Sequence, residues 1–492
     1  MDKLLLGVQS QTIDLCSYDS IPSSVNISFY FFYGNDDSES RFMPTDILRE
    51  SFYLALLEFP ILVGRLEIDS SGHAKLVVDR SNLNIPEFNE SLSNMHIRGL
   101  QASKFSWDAL PEGANSKGVL NTANSRGDIK PANVHAVRLL DNSGIVLYVS
   151  IAHYAVDGIG CCEFVGWWAE IHQWVCLGRP INKLPACHCH FERSILRSCL
   201  PDDRKALDAP TRELITGTGP LVRWLAWVSP KTRAKLFKAS FLLGSVSVKG
   251  HVFHIPTTRL ASLRALVQEC VPSDVCLSNN DVLTALLTMV VAQSEAESKR
   301  EAASANYLSS LVSYLFPAMY EPDSRFVTQV VCDMRPRLPG LSAARFTGNS
   351  ALTCCLTSSM ESLTCDINEQ SLARVAKSAR QLVDGVVPQY IGQHIDTLHE
   401  DQTRFMCPST YAVTKATLLL TNQSRFPLYQ ADFGNGIPTW VSPIQTFFPN
   451  FSSILPAHPM AGGYAIYISM AERAMARILQ NKFWMSMVDK VY

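Results

Sequence analysis

The strongest constraint on the fold is an apolar run, residues 145–152, that ends at a histidine. The run reads IVLYVSIA and is followed by His153, then by Asp157 and Gly158. A short, nearly continuous apolar segment rich in β-branched residues predicts a strand that is buried within a sheet. The Asp-Gly pair predicts a tight turn after it. We therefore expect a strand that presents His153 at its end, where an imidazole can accept a proton near neutral pH. A core histidine is the alternative that this pattern leaves open.

The rest of the chain alternates between strand-like and helix-like patterns. Segments rich in β-branched residues predict strands at residues 75–78, 134–140, 145–152, 327–332 and 464–469. Apolar residues at helical spacing, several of them after a capping residue, predict helices at residues 46–57, 160–175, 258–270, 280–296 and 368–383. Together these patterns predict an α/β chain without internal repeats.

Length and charge narrow the class of function. A chain of 492 residues exceeds one ordinary core and is expected to form two domains. A formal net charge of −2 gives no electrostatic footprint for nucleic acid or for an anionic membrane. No apolar run reaches the length of a membrane span, and the N-terminal residues lack the central region of a signal peptide. We expect a cytoplasmic protein that acts on small molecules.

Cysteines and short motifs exclude several chemistries. Fourteen cysteines without a secretory signal favour reduced, buried thiols. Residues 187–190, Cys-His-Cys-His, cannot all surround one tetrahedral ion, because alternate side chains of an extended segment point to opposite faces. We therefore predict no metal site. The chain has no GxGxxG, GxxxxGK[ST], HExxH or GxSxG signature, so nucleotide, dinucleotide, zinc-protease and serine-hydrolase chemistry lose their usual support.

A second motif lies far downstream, at residues 432–436, and reads DFGNG. Two glycines that flank one residue predict a tight loop against which another segment or a ligand packs, with an ordinary turn as the alternative. In this order, the HxxxDG of residues 153–158 and the DFGNG resemble the HxxxDG and DFGWG motifs of the BAHD family. The members of that family are plant and fungal acyl-CoA-dependent acyltransferases.

Four further stretches extend the resemblance over nearly the whole chain. They are similar to the family's first helix and the turn after it, its central helix, its DxRxR…GN stretch, and its last strand and helix. In this sequence they are residues 48–66, 278–285, 333–349 and 462–475.

The resemblance implies a specific architecture. The family has two similar lobes, each with a mixed β-sheet and helices as in chloramphenicol acetyltransferase, and an active-site channel between them. The first lobe, which carries HxxxDG, is expected to hold residues 1–205 plus about 436–457. The second, which carries the CoA-side elements and DFGNG, is expected to hold about 215–435 plus 459–492. Residues 183–220, where several prolines and glycines lie among charged residues, are expected to form a long crossover.

The resemblance also implies the chemistry. Acyl transfer from a thioester needs a base for the acceptor, dipoles for the developing oxyanion, and exclusion of water. His153 is expected to be the catalytic general base, in a direct attack without an acyl-enzyme. Acyl-CoA would be a co-substrate rather than a bound cofactor, the acceptor a small specialised metabolite, and the protein a monomer.

Residues of the first motif and the DxRxR stretch are expected to support the site. By the resemblance, the Asp157 carboxylate points away from the channel and pairs with Arg335, which would hold the histidine loop in place. Losing one partner would leave a buried charge uncompensated, at a cost of roughly 3–5 kcal/mol. Gly158 is expected to adopt a backbone conformation that side chains disfavour and to leave room for the acyl donor.

The second motif departs from the family at one position. Asp432, Gly434 and Gly436 are expected to shape the loop, while Asn435 stands where the family has Trp. An amide can both donate and accept hydrogen bonds. Asn435 could therefore assist the oxyanion or line the donor channel, or the loop could be purely structural and lie away from the chemistry.

The binding surfaces are less well marked. Ser278 and Asn280 are candidate hydrogen-bonding partners of the pantetheine arm of CoA, by the resemblance. Lys249 and Arg259 are candidates for its 3′-phosphate, but they cannot be distinguished from ordinary surface charges. The acceptor side is expected to include the neighbourhood of residues 28–32.

Two other functions stay open. Condensation domains of peptide synthetases use a related HHxxxDG motif to accept an acyl group from a carrier protein's thioester. Here Ala152 replaces the first His, the sequence holds no carrier segment, and DFGNG favours the CoA family. A non-catalytic relative that acts as a scaffold is the other alternative, and the intact His153 and Asp157-Gly158 argue against it.

Overall fold

The protein is described by a computed structural model that covers residues 7–20, 25–69, 73–111, 129–184, 186–202, 207, 247–305, 325–399, 417–446 and 449–492. The strands are β1 (Gln11–Asp14), β2 (Asn26–Gly34), β3 (Arg65–Ile68), β4 (Ala74–Val78), β5 (Glu87–Leu92), β6 (Ala132–Arg138), β7 (Gly144–Ala152), β8 (Val248–Ile255), β9 (Arg325–Asp333), β10 (Ala351–Ser359), β11 (Thr417–Asn422), β12 (Trp440–Pro443), β13 (Phe451–Pro456), β14 (Tyr464–Ala471) and β15 (Lys490–Val491).

The helices are α1 (Ser17–Ser20), α2 (Thr45–Ala55), α3 (Ile97–Ala102), α4 (Gly158–Cys176), α5 (Ser194–Ser198), α6 (Thr257–Glu269), α7 (Asn279–Ala305), α8 (Pro339–Ala343), α9 (Met360–Leu363), α10 (Glu369–Asp384), α11 (Pro388–His399), α12 (Glu472–Gln480) and α13 (Lys482–Met487). Short 3₁₀ turns lie at Pro60–Val63, Trp107–Ala109, Leu140–Asn142, Ile181–Lys183, Arg335–Arg337 and Leu428–Gln430. The mixed α/β class predicted from the sequence is confirmed.

The first lobe is built on a five-stranded mixed sheet with the order β12-β2-β7-β6-β5. Strand β7 is buried along its whole length, as its continuous apolar sequence predicts. Helices α2 and α4 cover one face, where the rings of Phe52, Phe164 and Trp168 pack together. A three-stranded antiparallel sheet, β1-β4-β3, lies beside this core.

The second lobe is built on a seven-stranded mixed sheet with the order β10-β9-β11-β13-β14-β8-β15. Strands β9, β11 and β13 run parallel, and the other neighbours are antiparallel. Helices α6, α7, α10 and α12 contribute to one core with this sheet, as shown by the buried side chains of Leu286, Ile466 and Met475. The opposite face of β13 and β14 contributes Leu455 and Tyr467 to the core of the first lobe. The two lobes therefore share a packed interface.

The return of the chain to the first lobe is shorter than the resemblance implies. Strand β12 pairs with β2, with Trp440 opposite Phe32, so this part of residues 436–457 lies in the first lobe. Strand β13, residues 451–456, lies between β11 and β14 in the seven-stranded sheet. The physical reason is that Ile454 is buried in the core of the second lobe. Of the predicted crossover, residues 185, 203–206 and 208–220 lie outside the described residues.

Within the ranges that the structure describes, no helix combines the length and the apolar character that a membrane span requires.

A third apolar cluster lies where the N-terminal segment meets the second lobe, with Tyr18, Leu196, Val330 and Ile391 among its members. The hydroxyl of Tyr18 lies 2.6 Å from Nδ1 of His394 in α11. Contacts between distant segments thus tie the N-terminal residues to the second lobe.

Candidate active site

His153 lies at the boundary between the two lobes. It follows β7 directly, and its backbone N–H donates to Val25 O (3.0 Å) beside the first residue of β2. Its side chain reaches a residue of the second lobe, because Nδ1 lies 3.1 Å from Oδ1 of Asn349. The strand and the turn after it therefore bring the imidazole to the interface.

Asn349 determines which ring nitrogen of His153 carries the proton. The Nδ2 amide of Asn349 donates to His153 O (2.7 Å) and to Asp19 Oδ1 (2.7 Å). A carbonyl and a carboxylate are both acceptors, so this amide end must be nitrogen, and the oxygen must face the imidazole. Nδ1 of His153 then carries the hydrogen and donates it to Asn349. The lone pair is left on Nε2, the form that a general base requires.

Burial also favours the neutral form of this histidine. Removal of His153 from water lowers its pKa below the ordinary value, because the charged imidazolium is poorly solvated inside the protein. A hydrogen bond to its own backbone, the negative charges of Asp157 and Asp19, and the bond to Asn349 oppose this effect without reversing it. The imidazole is therefore neutral near pH 7 and ready to accept a proton.

Asp157 and Arg335 form a buried ion pair across the lobe boundary. Nη1 of Arg335 donates to Oδ2 of Asp157 (2.9 Å), and Nη2 donates to Oδ1 (3.1 Å). The Arg335 guanidinium also donates to the carbonyls of Phe346 and Gly348. Burial by itself raises the pKa of Asp157, but the ion pair and the backbone donors outweigh it and hold the pKa below its ordinary range. The carboxylate is thus fully engaged away from His153, as the resemblance implies.

The same carboxylate begins helix α4. Oδ1 of Asp157 accepts the backbone N–H of Gly160 (3.1 Å), which is the hydrogen bond of an N-cap. Its other oxygen accepts the backbone N–H and the hydroxyl of Ser350, both at 3.2 Å. One side chain therefore links the histidine turn, helix α4 and the loop before β10.

Gly158 is required for close packing rather than for an unusual backbone angle. A Cβ atom on Gly158 would lie 2.8 Å from Cζ of Phe426 and closer still to Cε2. Phe426 precedes the DFGNG loop in sequence, so the two motifs meet at this contact. The unusual backbone conformation expected of Gly158 is not found, because its φ is not positive.

The DFGNG loop packs on helix α4. Oδ1 of Asp432 accepts the backbone N–H groups of Gly434 (2.7 Å) and Gly436 (3.0 Å), and both glycines have positive φ, 98° and 94°. His172 Nδ1 lies 2.7 Å from Phe433 O, and Gln173 donates to Asp432 O (2.5 Å). The Phe433 ring is buried between aromatic side chains of the first lobe. The DFGNG loop thus lies in the first lobe and not in the second, where the resemblance puts it, because Phe433 is buried in the core of the first lobe.

Asn435 faces a surface loop. Its Oδ1 accepts the backbone N–H of Met43 (3.1 Å), and its Nδ2 donates to Oε2 of Glu39 (2.5 Å). Both partners belong to the segment after β2 in the first lobe. Of the two interpretations of Asn435, the structural loop agrees with these contacts. These contacts disagree with a role of Asn435 at the oxyanion, because both polar groups of its amide already have protein partners.

The predicted CoA-binding residues at the start of α7 also have protein partners. Ser278 Oγ caps the helix by accepting the backbone N–H of Asp281 (3.3 Å) and donates to Oδ2 of Asp281 (2.8 Å). Asn280 Oδ1 accepts from Asn422 (2.5 Å). Arg259 donates to the carbonyls of Ser486 and Val488, whereas Lys249 is exposed. The side chain of Ser278 is therefore less available to a ligand than the sequence predicts.

One polar group in the second lobe was not marked by any sequence pattern. Ser453 in β13 is 2% exposed, and its Oγ has no hydrogen-bond partner within the described part of the chain. The next residue, Ile454, points into the core of the second lobe, so alternation along β13 turns Ser453 towards the first lobe. An unpartnered buried hydroxyl is costly unless a water or a ligand satisfies it.

The cysteine-rich segment shows no metal site. The sulfur atoms of Cys187 and Cys189 lie 3.1 Å apart, while His188 between them is exposed. Across the described ranges, no three His, Cys, Asp or Glu side chains are grouped so that they could hold a metal ion.

Comparison with known proteins gave matches to one family and to several solved structures. The sequence profile of the Transferase family matches residues 6–209 and 245–484. No curated protein matches the sequence. Among solved structures, F. graminearum TRI101 complexed with coenzyme A and T-2 mycotoxin has a TM-score of 0.71 and 13% identity, covering 97% of this chain and 98% of that one.

Two further structures have the same fold. Vinorine synthase has a TM-score of 0.61 and 16% identity, with 98% of each chain covered. TRI3 trichothecene 15-O-acetyltransferase from Fusarium sporotrichioides has a TM-score of 0.56 and 12% identity, covering 98% of this chain and 96% of that one. At such low identities, these likenesses establish the fold.

Proposed function

The chain belongs to the Transferase family, that of the BAHD acyltransferases, and we propose that it transfers an acyl group from acyl-CoA to a hydroxyl or an amine of a small molecule. The observation that carries the proposal is the position of His153 at the lobe boundary, with its Nδ1 held 3.1 Å from Oδ1 of Asn349. A base with a defined tautomer at a lobe boundary is what deprotonation of an acceptor needs.

In the proposed reaction, Nε2 of His153 takes the proton from the acceptor as its oxygen or nitrogen attacks the thioester carbon. The tetrahedral intermediate then collapses, the C–S bond breaks, and the imidazolium returns the proton to the CoA thiolate. The products are the acylated acceptor and free CoA, so protons and electrons balance without an acyl-enzyme. No cysteine has a role in this sequence of steps.

Acyl-CoA as donor is supported by the structural neighbours. TRI101 was crystallised with coenzyme A, and TRI3 is described as an acetyltransferase. We propose that CoA and the acceptor approach His153 through the interface between the two sheets. Ser453 Oγ, buried on the side of the second sheet that faces the first lobe, is our candidate donor to the thioester or the pantetheine arm.

The test measures thiol release from acetyl-, malonyl-, longer fatty acyl- and aromatic acyl-CoA thioesters by the purified protein. His153→Ala should slow release by at least about a hundredfold, the usual share of a general base, without loss of folding. His135→Ala is the matched control, because His135 lies on β6 and contacts Ser91 of β5 at the edge of the first sheet. This variant should keep full activity.

Each outcome has a definite meaning. Thiol release that depends on His153 for one CoA thioester supports the proposal and identifies the donor class. Full activity in His153→Ala would exclude this histidine as the base. Binding to none of the thioesters would favour a carrier-protein thioester as the donor or a non-catalytic scaffold.

A further inference from the structure

The hydrogen bonds that support His153 extend beyond Asn349 to a buried carboxylate in the N-terminal segment. Asp19 in α1 is fully buried, and its Oδ1 accepts from Nδ2 of Asn349 (2.7 Å). The other end of the same amide accepts from Nδ1 of His153 (3.1 Å). Carboxylate, amide and imidazole thus form one chain of hydrogen bonds, assembled from three segments that are far apart in sequence.

Arg193 balances this carboxylate and also reaches the histidine turn. Its Nε donates to Oδ2 of Asp19 (3.1 Å), and its Nη2 donates to Oδ1 (3.2 Å). Nη2 also donates to the carbonyl of Ala155, two residues after His153 (2.6 Å). Arg193 is 4% exposed, so the pair is shielded from solvent and little screened by salt.

A buried carboxylate can act on an imidazole through an intervening amide. The negative oxygen attracts the amide hydrogens, which places more negative charge on the amide oxygen and strengthens its bond to the imidazole N–H. The positive imidazolium that forms when Nε2 takes a proton is then better stabilised. The carboxylate of a catalytic triad serves the same purpose by direct contact with its histidine.

We propose that Asp19 is a positioning residue for His153, which acts through Asn349 to fix the Nδ1–H tautomer and to stabilise the imidazolium. This inference deepens the proposed function, in which His153 is the base. The Asp157 carboxylate, held by Arg335, has a different task. It fixes the turn, whereas Asp19 supports the imidazole ring.

Other ionisable groups lie close to this chain of hydrogen bonds. Asp157 acts on His153 together with Asp19, and both Asp19 and Arg193 act on Cys16. Burial raises the pKa of the Cys16 thiol, so Cys16 stays neutral over the working range. Cys16 therefore adds no titration of its own in the pH range where His153 titrates.

The test is a titration of His153 by NMR of its ring protons in the full-length protein without substrate. Asp19→Asn should lower the pKa of His153 by about 0.5–1 unit, less than a direct contact would produce. Arg193→Met, which leaves the Asp19 charge without its partner, should raise the pKa. Opposite signs for the two variants are a result that a purely structural role would not give.

Two double variants control for the effects of an unpaired buried charge and for effects that do not pass through Asn349. Asp19→Asn with Arg193→Met leaves no unpaired buried charge and should still lower the pKa of His153. In an Asn349→Leu background, Asp19→Asn should lower the pKa of His153 by clearly less than it does with Asn349 present, because only the direct effect of the Asp19 charge remains. An unchanged pKa in the Asp19→Asn/Arg193→Met protein would overturn the proposal, and so would an undiminished effect of Asp19→Asn in the Asn349→Leu protein.

The titration remains informative even if the protein proves not to be an acyltransferase, because it needs no substrate. If thiol release is observed, the acid limb of kcat/KM in each variant should move with the pKa of His153. Activity with an unshifted His153 would leave the proposed function standing and refute the role of Asp19.

Discussion

At the scale of single residues, the candidate site is specified by side chains whose polar atoms have no alternative partners. Asn349 is the example: its amide nitrogen is committed to a carboxylate and a carbonyl, so only its oxygen is left for His153. Sequence reasoning marked this residue only as part of a GN pair. Its function follows from contacts to Asp19 and His153, which no local sequence pattern reveals.

Gly158 gives the sharpest single-residue prediction. Gly158→Ala places a methyl group against the Phe426 ring, 2.8 Å from Cζ, and should destabilise the protein by about 1–3 kcal/mol. The double variant Gly158→Ala/Phe426→Leu should recover most of that loss, because leucine leaves room for the added methyl group. The measurement is the free energy of unfolding in urea for both single variants and the double variant. If Phe426→Leu gives no recovery, the close contact is not the reason for glycine here.

At the scale of elements, helix α4 connects the two motifs. Its N-cap is Asp157 of the HxxxDG motif, and near its other end His172 and Gln173 bind the carbonyls of the DFGNG loop. The helix is thus the element on which both motifs are assembled. The sequence predicted the helix at residues 160–175, within two residues of its observed bounds. The contacts by which helix α4 links the two motifs, which we call the bridge, were not predicted.

His172 makes this bridge sensitive to acid. Burial lowers its pKa from 6.5 to about 4, so the unfolded chain binds a proton between these pH values and the folded protein does not. The stability associated with the neutral His172 is fully present above about pH 6.5 and is lost as the pH falls towards 4. The total loss in the free energy of unfolding should be on the order of 3 kcal/mol. Unfolding in urea at a series of pH values should show this decline.

The matched variant for this prediction is His172→Gln, which keeps a donor for Phe433 O but does not titrate. It should be less stable than the wild type at pH 7, with a weaker dependence on pH between 4 and 6.5. His153 and Asp157 are present in both proteins, so the difference between the two curves isolates His172. Curves of equal slope would show that His172 does not cause the loss.

At the scale of the whole molecule, the α/β class and the motif-bearing elements were predictable, and the assembly was not. Strands β4, β7, β9 and β14 and the long helices were found because their apolar spacing is regular over many residues. Strands β8, β10, β11 and β13 were not predicted, because short apolar segments of mixed composition fit helix and strand equally well. The placement of β13 in the second sheet is a tertiary outcome, fixed by the burial of Ile454.

The ion pair of Asp157 and Arg335 is a buried polar link between the lobes, and we expect it to help the two lobes unfold together. Both residues are nearly buried, and each is satisfied by backbone groups as well as by its partner. Asp157→Ala or Arg335→Ala should therefore cost about 3–5 kcal/mol of stability, since each leaves a buried charge without its partner.

The double variant Asp157→Ala/Arg335→Ala leaves no unpaired charge and should be more stable than the sum of the single losses predicts. The free energies of unfolding of the wild type, both single variants and the double variant form a complete cycle. Tryptophan fluorescence and far-UV circular dichroism should follow a single transition in the wild type and separate in the single variants, because a buried ion pair between the lobes is then broken. An Asp157→Ala protein as stable as the wild type would show that the pair does not hold the lobes together, and a role for this carboxylate in the chemistry would then have to be considered.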